Sequence, residues 1–206
     1  YLYRLTETNA GCSAYSDVAV TFYAQPVAYA GESGSVCDSL ATVVATASVG
    51  SGAWSKQSGP GNAIFSGSSN PSSSVTVSQY GTYIFMWTEI NGLCSSADTA
   101  TVNFYRQPVA DAGSGGKQCD LQFVTSAVPS SGTGTWSMVI GTDTTLFANP
   151  NDYATSLSVA NTGTYIFQWE EVNGICSSSD EIIVNFYPQP VASAGNDTSI
   201  SLGDLA

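Results

Sequence analysis

Three segments, TETNAGC, TEINGLC and EEVNGIC, end in Cys12, Cys94 and Cys176, and both intervals (94 − 12 and 176 − 94) equal 82 residues. The same step carries Trp54 to Trp136, Cys37 to Cys119, and Pro26 to Pro108 and Pro190. A fixed period without insertion or deletion is the signature of a tandem array of small modules. Such arrays are usually built to space or grip rather than to catalyse. The period predicts complete repeats at 24–105 and 106–187, the tail of a preceding repeat at 1–23, and the head of a following one at 188–206. The chain therefore reads as a window on a longer array. About 80 residues suffice for one small core.

Within a period, short β-branched or aromatic runs alternate with Gly, Pro, Ser and Asn clusters, and no segment holds a helical period over three turns. This predicts an all-β sandwich. Strands are expected at 26–30, 38–47, 52–56, 74–78, 82–90 and 95–105, with Asn91-Gly92 turning the last pair. Alternation assigns the faces. Tyr83, Phe85 and Trp87, and one period later Tyr165, Phe167 and Trp169, point inward. So do Ala100, Val102 and Phe104, with Ile182, Val184 and Phe186, while Trp54 and Trp136 enter the core. Met86 and Met138 read as filler. A Phe-Tyr-x-Gln-Pro-Val joint links the modules. Its proline fixes φ and keeps the preceding residue extended, so a semi-rigid joint is expected.

Charge and composition narrow the function. Four basic residues, Arg4, Lys56, Arg106 and Lys117, face sixteen acids, for a net charge of −12. That argues against nucleic acid and against electrostatic docking on anionic lipid. The chain has no histidine, which removes the usual general base and zinc ligand. No apolar run reaches the ~20 residues of a membrane span. Low charge and cysteines at fixed spacing favour an exported, oxidising setting. The acidic doublets Glu170-Glu171 and Asp180-Glu181 cannot converge on one substrate, because neighbours on a strand face opposite ways; a solvated edge is expected for them. No catalytic residue and no enzymatic activity is expected, and no cofactor, although Asp38, Asp111 or Asp197 could hold Ca²⁺ at a module joint. Tyr29, Tyr80 and Tyr153 are the exposed aromatics that a polysaccharide-binding module would use. Asn196-Asp197-Thr198 fits an N-glycosylation sequon.

Gly81-Thr82-Tyr83-Ile84-Phe85 and Gly163-Thr164-Tyr165-Ile166-Phe167 resemble the immunoglobulin-type stretch that carries a tyrosine corner. Phe85 and Phe167 stand where an antibody domain has its second cysteine, and Trp54 and Trp136 resemble its core tryptophan. The opening PVAxAG at 26–31, 108–113 and 190–195 resembles the start of PKD-type modules. The whole pattern, through GTYxFxW, NGxC and VNFY, is similar to repeats of giant cell-surface adhesins of the Bacteroidota, such as SprB-type gliding-motility adhesins. The resemblance covers nearly the whole chain. It implies tandem immunoglobulin-like/PKD-like sandwiches, secretion by the type IX route, and a stalk or filament segment at the cell surface serving attachment or gliding. Implied partners are neighbouring repeats, envelope anchoring or motility machinery, and an external surface or polysaccharide reached by regions outside this segment. PKD-like modules also serve as spacers or carbohydrate-binding parts of secreted multidomain enzymes, which is the alternative function. The Asp-Ser/Thr-apolar motif that such bacteria O-glycosylate is matched at Ser39, Thr99 and Thr144. Ser201 departs from the pattern, standing where Cys37 and Cys119 would recur.

Five cysteines cannot all pair within the chain. One pairing is intramodule, Cys37–Cys94 and Cys119–Cys176. Immunoglobulin topology would instead place Cys37 and Cys94 at opposite ends of a module, roughly 30 Å apart for strands of about 10 residues. It favours an inter-repeat bridge, Cys37–Cys176, which leaves Cys12, Cys94 and Cys119 to pair beyond the chain or stay reduced. Both pairings remain open at the level of sequence.

Overall fold

The computed structural model describes residues 1–197 and 199. All regular elements are strands: β1 (Leu2–Asn9), β2 (Cys12–Ala19), β3 (Gly34–Cys37), β4 (Leu40–Val44), β5 (Ser51–Ser58), β6 (Ala63–Phe65), β7 (Ser72–Val77), β8 (Gly81–Asn91), β9 (Cys94–Tyr105), β10 (Gly116–Gln118), β11 (Gln122–Val124), β12 (Thr133–Ile140), β13 (Leu146–Phe147), β14 (Ser156–Ser158), β15 (Gly163–Asn173) and β16 (Cys176–Phe186). Two compact units result, Tyr1–Gln107 with Asn173–Cys176, and Pro108–Val172 with Ser177–Ala206.

In the first unit a four-stranded sheet, β3-β9-β8-β5, faces a three-stranded sheet, β4-β7-β6. The second repeats this as β10-β16-β15-β12 over β11-β14-β13. Two edge pairings, β3 on β9 and β10 on β16, are parallel; β1–β2, β4–β7, β5–β8, β6–β7, β8–β9, β11–β14, β12–β15 and β13–β14 are antiparallel. Alternation builds the core. Tyr83, Phe85, Trp87, Ala100, Val102 and Phe104 are buried with Trp54, Val75 and Val77. Their equivalents Tyr165, Phe167, Trp169, Ile182, Val184, Phe186 and Trp136 bury the second core. Each large side chain removed from water in this way contributes about 1.5–3 kcal/mol. Met138 packs against the second core, whereas Met86 lies half-buried on the opposite face of β8.

Two glycines are required by packing rather than by backbone. A Cβ at Gly52 would lie 2.0 Å from the Trp87 ring, and one at Gly134 would lie 1.8 Å from Trp169. The indoles lie across these positions. Trp54 and Trp87 meet at 5.4 Å between centroids, as do Trp136 and Trp169.

The expected first strand at 26–30 does not form. Tyr29 makes one isolated bridge to Thr46. The Ala28 and Ala30 amides donate instead to Ser96 Oγ (3.2 Å) and Asp98 Oδ2 (2.8 Å). Ala110 and Ala112 do the same with Ser178 Oγ and Asp180 Oδ2. Side chains satisfy what a ladder would have satisfied. The strand expected at 38–47 is confined to β4.

The β8–β9 turn is Gly92-Leu93, closed by the pair Asn91 and Cys94. Of its two residues Gly92 alone has positive φ, at +61°, the pattern of a II′ turn. Hairpin β1–β2 matches β8–β9 by the 82-residue step, pairing Asn9 with Cys12. Its Tyr1, Tyr3, Leu5, Val18 and Phe22, the equivalents of core positions, are exposed. A bidentate Arg4–Asp17 pair at 2.7 and 2.8 Å ties its two strands.

Candidate functional site

What the chain repeats, and builds with care, is a joint. The first unit contains two seats of one design, each made of a tyrosine with the residue after it and a hairpin tip; Tyr105 ends β9, whereas Tyr23 lies beyond β2. In one, Asn91 Nδ2 donates to Ala24 O (2.8 Å) and Gln25 Nε2 to Ser95 O (2.8 Å). The Cys94 thiol lies 3.8 Å from Tyr23 O. In the other, Asn173 Nδ2 donates to Arg106 O at 2.8 Å. Each tip rests its glycine on a tyrosine ring: a Cβ at Gly92 would lie 2.3 Å from Tyr23, and one at Gly174 would lie 2.5 Å from Tyr105. Gly92 and Gly174 also have φ of +61° and +63°. Glycine is therefore demanded twice at each position, by the turn and by the ring.

The second seat is sealed covalently. Cys37 and Cys176 form a disulfide with Cα atoms 5.6 Å apart, spanning 139 residues of sequence. The bond joins the first 82-residue period to the second. The intramodule alternative, Cys37–Cys94 with Cys119–Cys176, is not formed. Cys37 pairs with Tyr105, the last residue of β9, and Cys94 is the first residue of β9. Eleven residues at ~3.3 Å place the two cysteines about 36 Å apart, far beyond the ~7 Å that a disulfide tolerates. Cys12, Cys94 and Cys119 are unbridged.

Tyr83 and Tyr165 each return a hydroxyl to the chain, donating to Gln79 O and Asn161 O at 2.9 Å. Tyr83 also accepts from Gly61 N at 3.0 Å. Burial, with Asp143 hydrogen-bonded to it, pushes the Tyr165 hydroxyl above its usual range. The bonds brace the loops that lead into β8 and β15.

Two functional-looking groups were missed in the sequence. Glu89 and Glu171 are each 1% exposed and lie within the cores. Glu171 is therefore not part of a solvated edge; only its neighbour Glu170 faces water. Parity carried the signal, because 83, 85, 87 and 89 share a face. The Trp87 indole donates to Glu89 at 2.9 Å and Trp169 to Glu171 at 3.1 Å. Ser48 N and Ser130 N donate to the same carboxylates at 3.0 and 2.9 Å, and the Ser48 and Ser130 hydroxyls add a further bond each. For Glu89 the hydrogen bond from Ser48 leads, outweighs burial, and holds the carboxyl below its usual range. For Glu171 burial pushes upward, but the bonds from Ser130, Trp169 and the Ser131 amide overcome it, again lowering the carboxyl. A buried charge held by these donors fixes the Trp ring and the preceding loop. No second titratable group faces either carboxylate at hydrogen-bonding distance, so nothing here resembles an acid–base pair.

The remaining sequence candidates are dispersed. Tyr29 donates to Glu32, and the Tyr80 hydroxyl lies 3.5 Å from Asp38. Tyr153 lies in the other unit and is exposed. Asp38 accepts from Ser39 N at 2.7 Å and Asp111 from Gly113 N at 2.9 Å, while Asp197 is exposed. Among the described residues, no group of three or more His, Cys, Asp or Glu is placed to hold a metal. Asp180 holds the Ala112 amide, and Glu181 lies 3.5 Å from Gln168. Thr99 and Thr144 are exposed and Ser39 is half-buried. Thr198 of the sequon and Ser201 lie outside the described residues. Among those described, no helix is long and apolar enough to cross a membrane.

No family model and no curated protein matches the sequence. Solved structures do match the fold. A three-domain fragment of titin, I67–I69 in an E-to-A variant, superposes with a TM-score of 0.51 at 12% identity, covering 90% of this chain and 74% of that fragment. Extracellular domains 3–5 of Drosophila OTK give 0.54 at 10% identity, covering 90% and 70%. Both are tandem immunoglobulin-like arrays, and the chain shares that all-β fold.

Proposed function

We propose that the chain is a structural segment, a stalk or filament piece, of a large exported cell-surface adhesin of the gliding-motility type, serving attachment or movement by transmitting tension. One observation carries this reading: the disulfide between Cys37 of one period and Cys176 of the next. With it closed, the shortest covalent path from the amino to the carboxyl end passes 37 → 176. Residues 38–175, which include most of both sandwiches, lie off that path. A pull on the ends then loads the bond and the strands outside it, β1–β3 and β16, while the chain from β4 to β15 is shielded. Disulfides persist in oxidising compartments, which agrees with an extracellular site. The high acid content keeps such a surface array soluble and self-repelling.

The test is single-molecule pulling from the two termini. A separation of 139 residues at ~3.6 Å each hides about 500 Å of contour length. The oxidised chain should lack that extension and show no sandwich-sized rupture, and a reducing agent should restore both. An oxidised chain that releases its full length would refute the reading. Loss of the protein from intact source cells on brief external proteolysis checks the surface location.

A further inference from the structure

The two seats described above have a third counterpart. One period beyond Tyr105 and Arg106 stand Tyr187 and Pro188, and one period beyond Cys37 stands Cys119. We propose that this end of the second sandwich is a docking site for the Asn-Gly-x-Cys hairpin of a following repeat of the same type, sealed by a disulfide to Cys119.

The chain supplies the argument from its own occupied copies. Tyr23-Ala24 holds the tip Asn91–Cys94, and Tyr105-Arg106 holds the tip Asn173–Cys176. In both, the carbonyl after the tyrosine accepts from the asparagine amide at 2.8 Å. Pro188 lacks an N–H but keeps that carbonyl, which is all the seat asks of it. Cys119 is an exposed thiol beside Leu121, Thr162, Tyr187 and Pro188, which line one open cleft.

The occupied and open ends differ in a telling way. β3 runs through Cys37 and pairs it with Tyr105. β10 stops one residue short, at Gln118, paired with Phe186. The last rung of the parallel ladder is thus present where a hairpin is seated and bonded, and missing where none is. A seated tip would complete it.

The occupant is specified by chemistry. It needs Asn for the carbonyl, Gly to lie on the ring, and Cys two residues after the Gly. The first hairpin of this chain fails the second requirement, because Ala10 stands where Gly92 and Gly174 do. Bond formation removes two protons and two electrons from the paired thiols. An external disulfide, oxidised glutathione or that of a thiol–disulfide oxidoreductase, accepts them and is reduced to two thiols.

The experiment uses the full chain lengthened by a second copy of residues 107–188 inserted after Pro188, so that the Tyr187-Pro188 seat is kept, oxidised with a glutathione couple and mapped without reduction. Cys119 should be found bonded to the inserted copy's Cys176 equivalent, with Cys37–Cys176 retained. In the lengthened chain Tyr187→Ala should slow closure of the new bond at least tenfold, while Tyr187→Phe, which keeps the ring, should restore it. Cys119 alkylated as a free thiol, or bonded to Cys12 or Cys94, would overturn the proposal. So would a Cys119 bond to another molecule that depends on concentration. Closure at one rate in all three chains would show that the thiols meet without a seat.

Discussion

Replacing Glu171 with alanine leaves four donors facing a hole: the Trp169 indole at 3.1 Å, the Ser130 amide at 2.9 Å, the Ser131 amide at 3.3 Å and the Ser130 hydroxyl. Each buried donor left unsatisfied costs about 1–3 kcal/mol, and water entering the hole recovers part of it. The net expectation is a loss of about 3–5 kcal/mol from the second sandwich. In a domain of this size 1 kcal/mol moves the Tm by about 4–8 °C, so the fall should be at least ~12 °C. Glu170 is the built-in control. It neighbours Glu171 in sequence but sits exposed opposite Thr135, and Glu170→Ala should stay within about 0.5 kcal/mol. Thermal unfolding followed by near-UV circular dichroism and tryptophan emission reads both, since the lost bond is to an indole. Glu171→Gln should fall between them, keeping an acceptor for Trp169 while losing charge. If the two alanine variants are equally mild, the buried carboxylate is not holding the ring and the reasoning fails.

Other expectations follow from the same geometry. The Glu89 and Glu171 carboxyls lie below their usual range in the folded state, so the stability they confer is complete above about pH 4.5 and is lost as pH falls through their lowered values; chemical denaturation at stepped pH should show this, with a shallower slope in Glu171→Ala. Gly134→Ala drives a methyl into the Trp169 ring, 1.8 Å from its nearest atom, and should cost about 1–3 kcal/mol by denaturant titration, as overpacked cores do. Cys37→Ser should lower stability by about 2–5 kcal/mol, the range for a bond closing so long a loop, measured against wild type with and without reductant. Gly174→Ala strains the turn and meets Tyr105 at 2.5 Å; glutathione-driven closure of Cys37–Cys176 should slow, as followed by quenched peptide mapping.

Much of this architecture was legible because two periodicities agree. The 82-residue step fixed the equivalences, and the two-residue alternation of Tyr83, Phe85 and Trp87 fixed which face is core. The long strands β8 and β9 were readable for that reason, with Gly92 starting the turn one residue later than expected. Short elements were not. β3 is four residues long and owes its existence to the edge of β9, a partner that no local pattern announces. Residues 26–30 have strand composition, but Ser96 and Asp98 offered their amides a different acceptor. Glu89 lies on the inward parity, one step beyond Trp87 where the face assignment stopped; carboxylates rarely go inside, and the donors around this one reverse that tendency. The disulfide lay between these cases. Immunoglobulin strand polarity argued against Cys94 as partner but left both pairings open, while the seat itself, an asparagine amide and a glycine on a ring, leaves no trace in composition.

The Cys37–Cys176 bond also dictates an order of events during manufacture. Cys37 is synthesised 139 residues before its partner, and Cys94 and Cys119 both appear in the interval. A chain oxidised as it emerged would offer Cys37 those two thiols, and Cys12 ahead of them, before Cys176. Folding of the first sandwich removes one of them, because β9 then holds Cys94 a full strand length away. Correct wiring therefore demands that each sandwich close before its thiols are oxidised, and that Cys37 wait in reduced form until the next hairpin is complete.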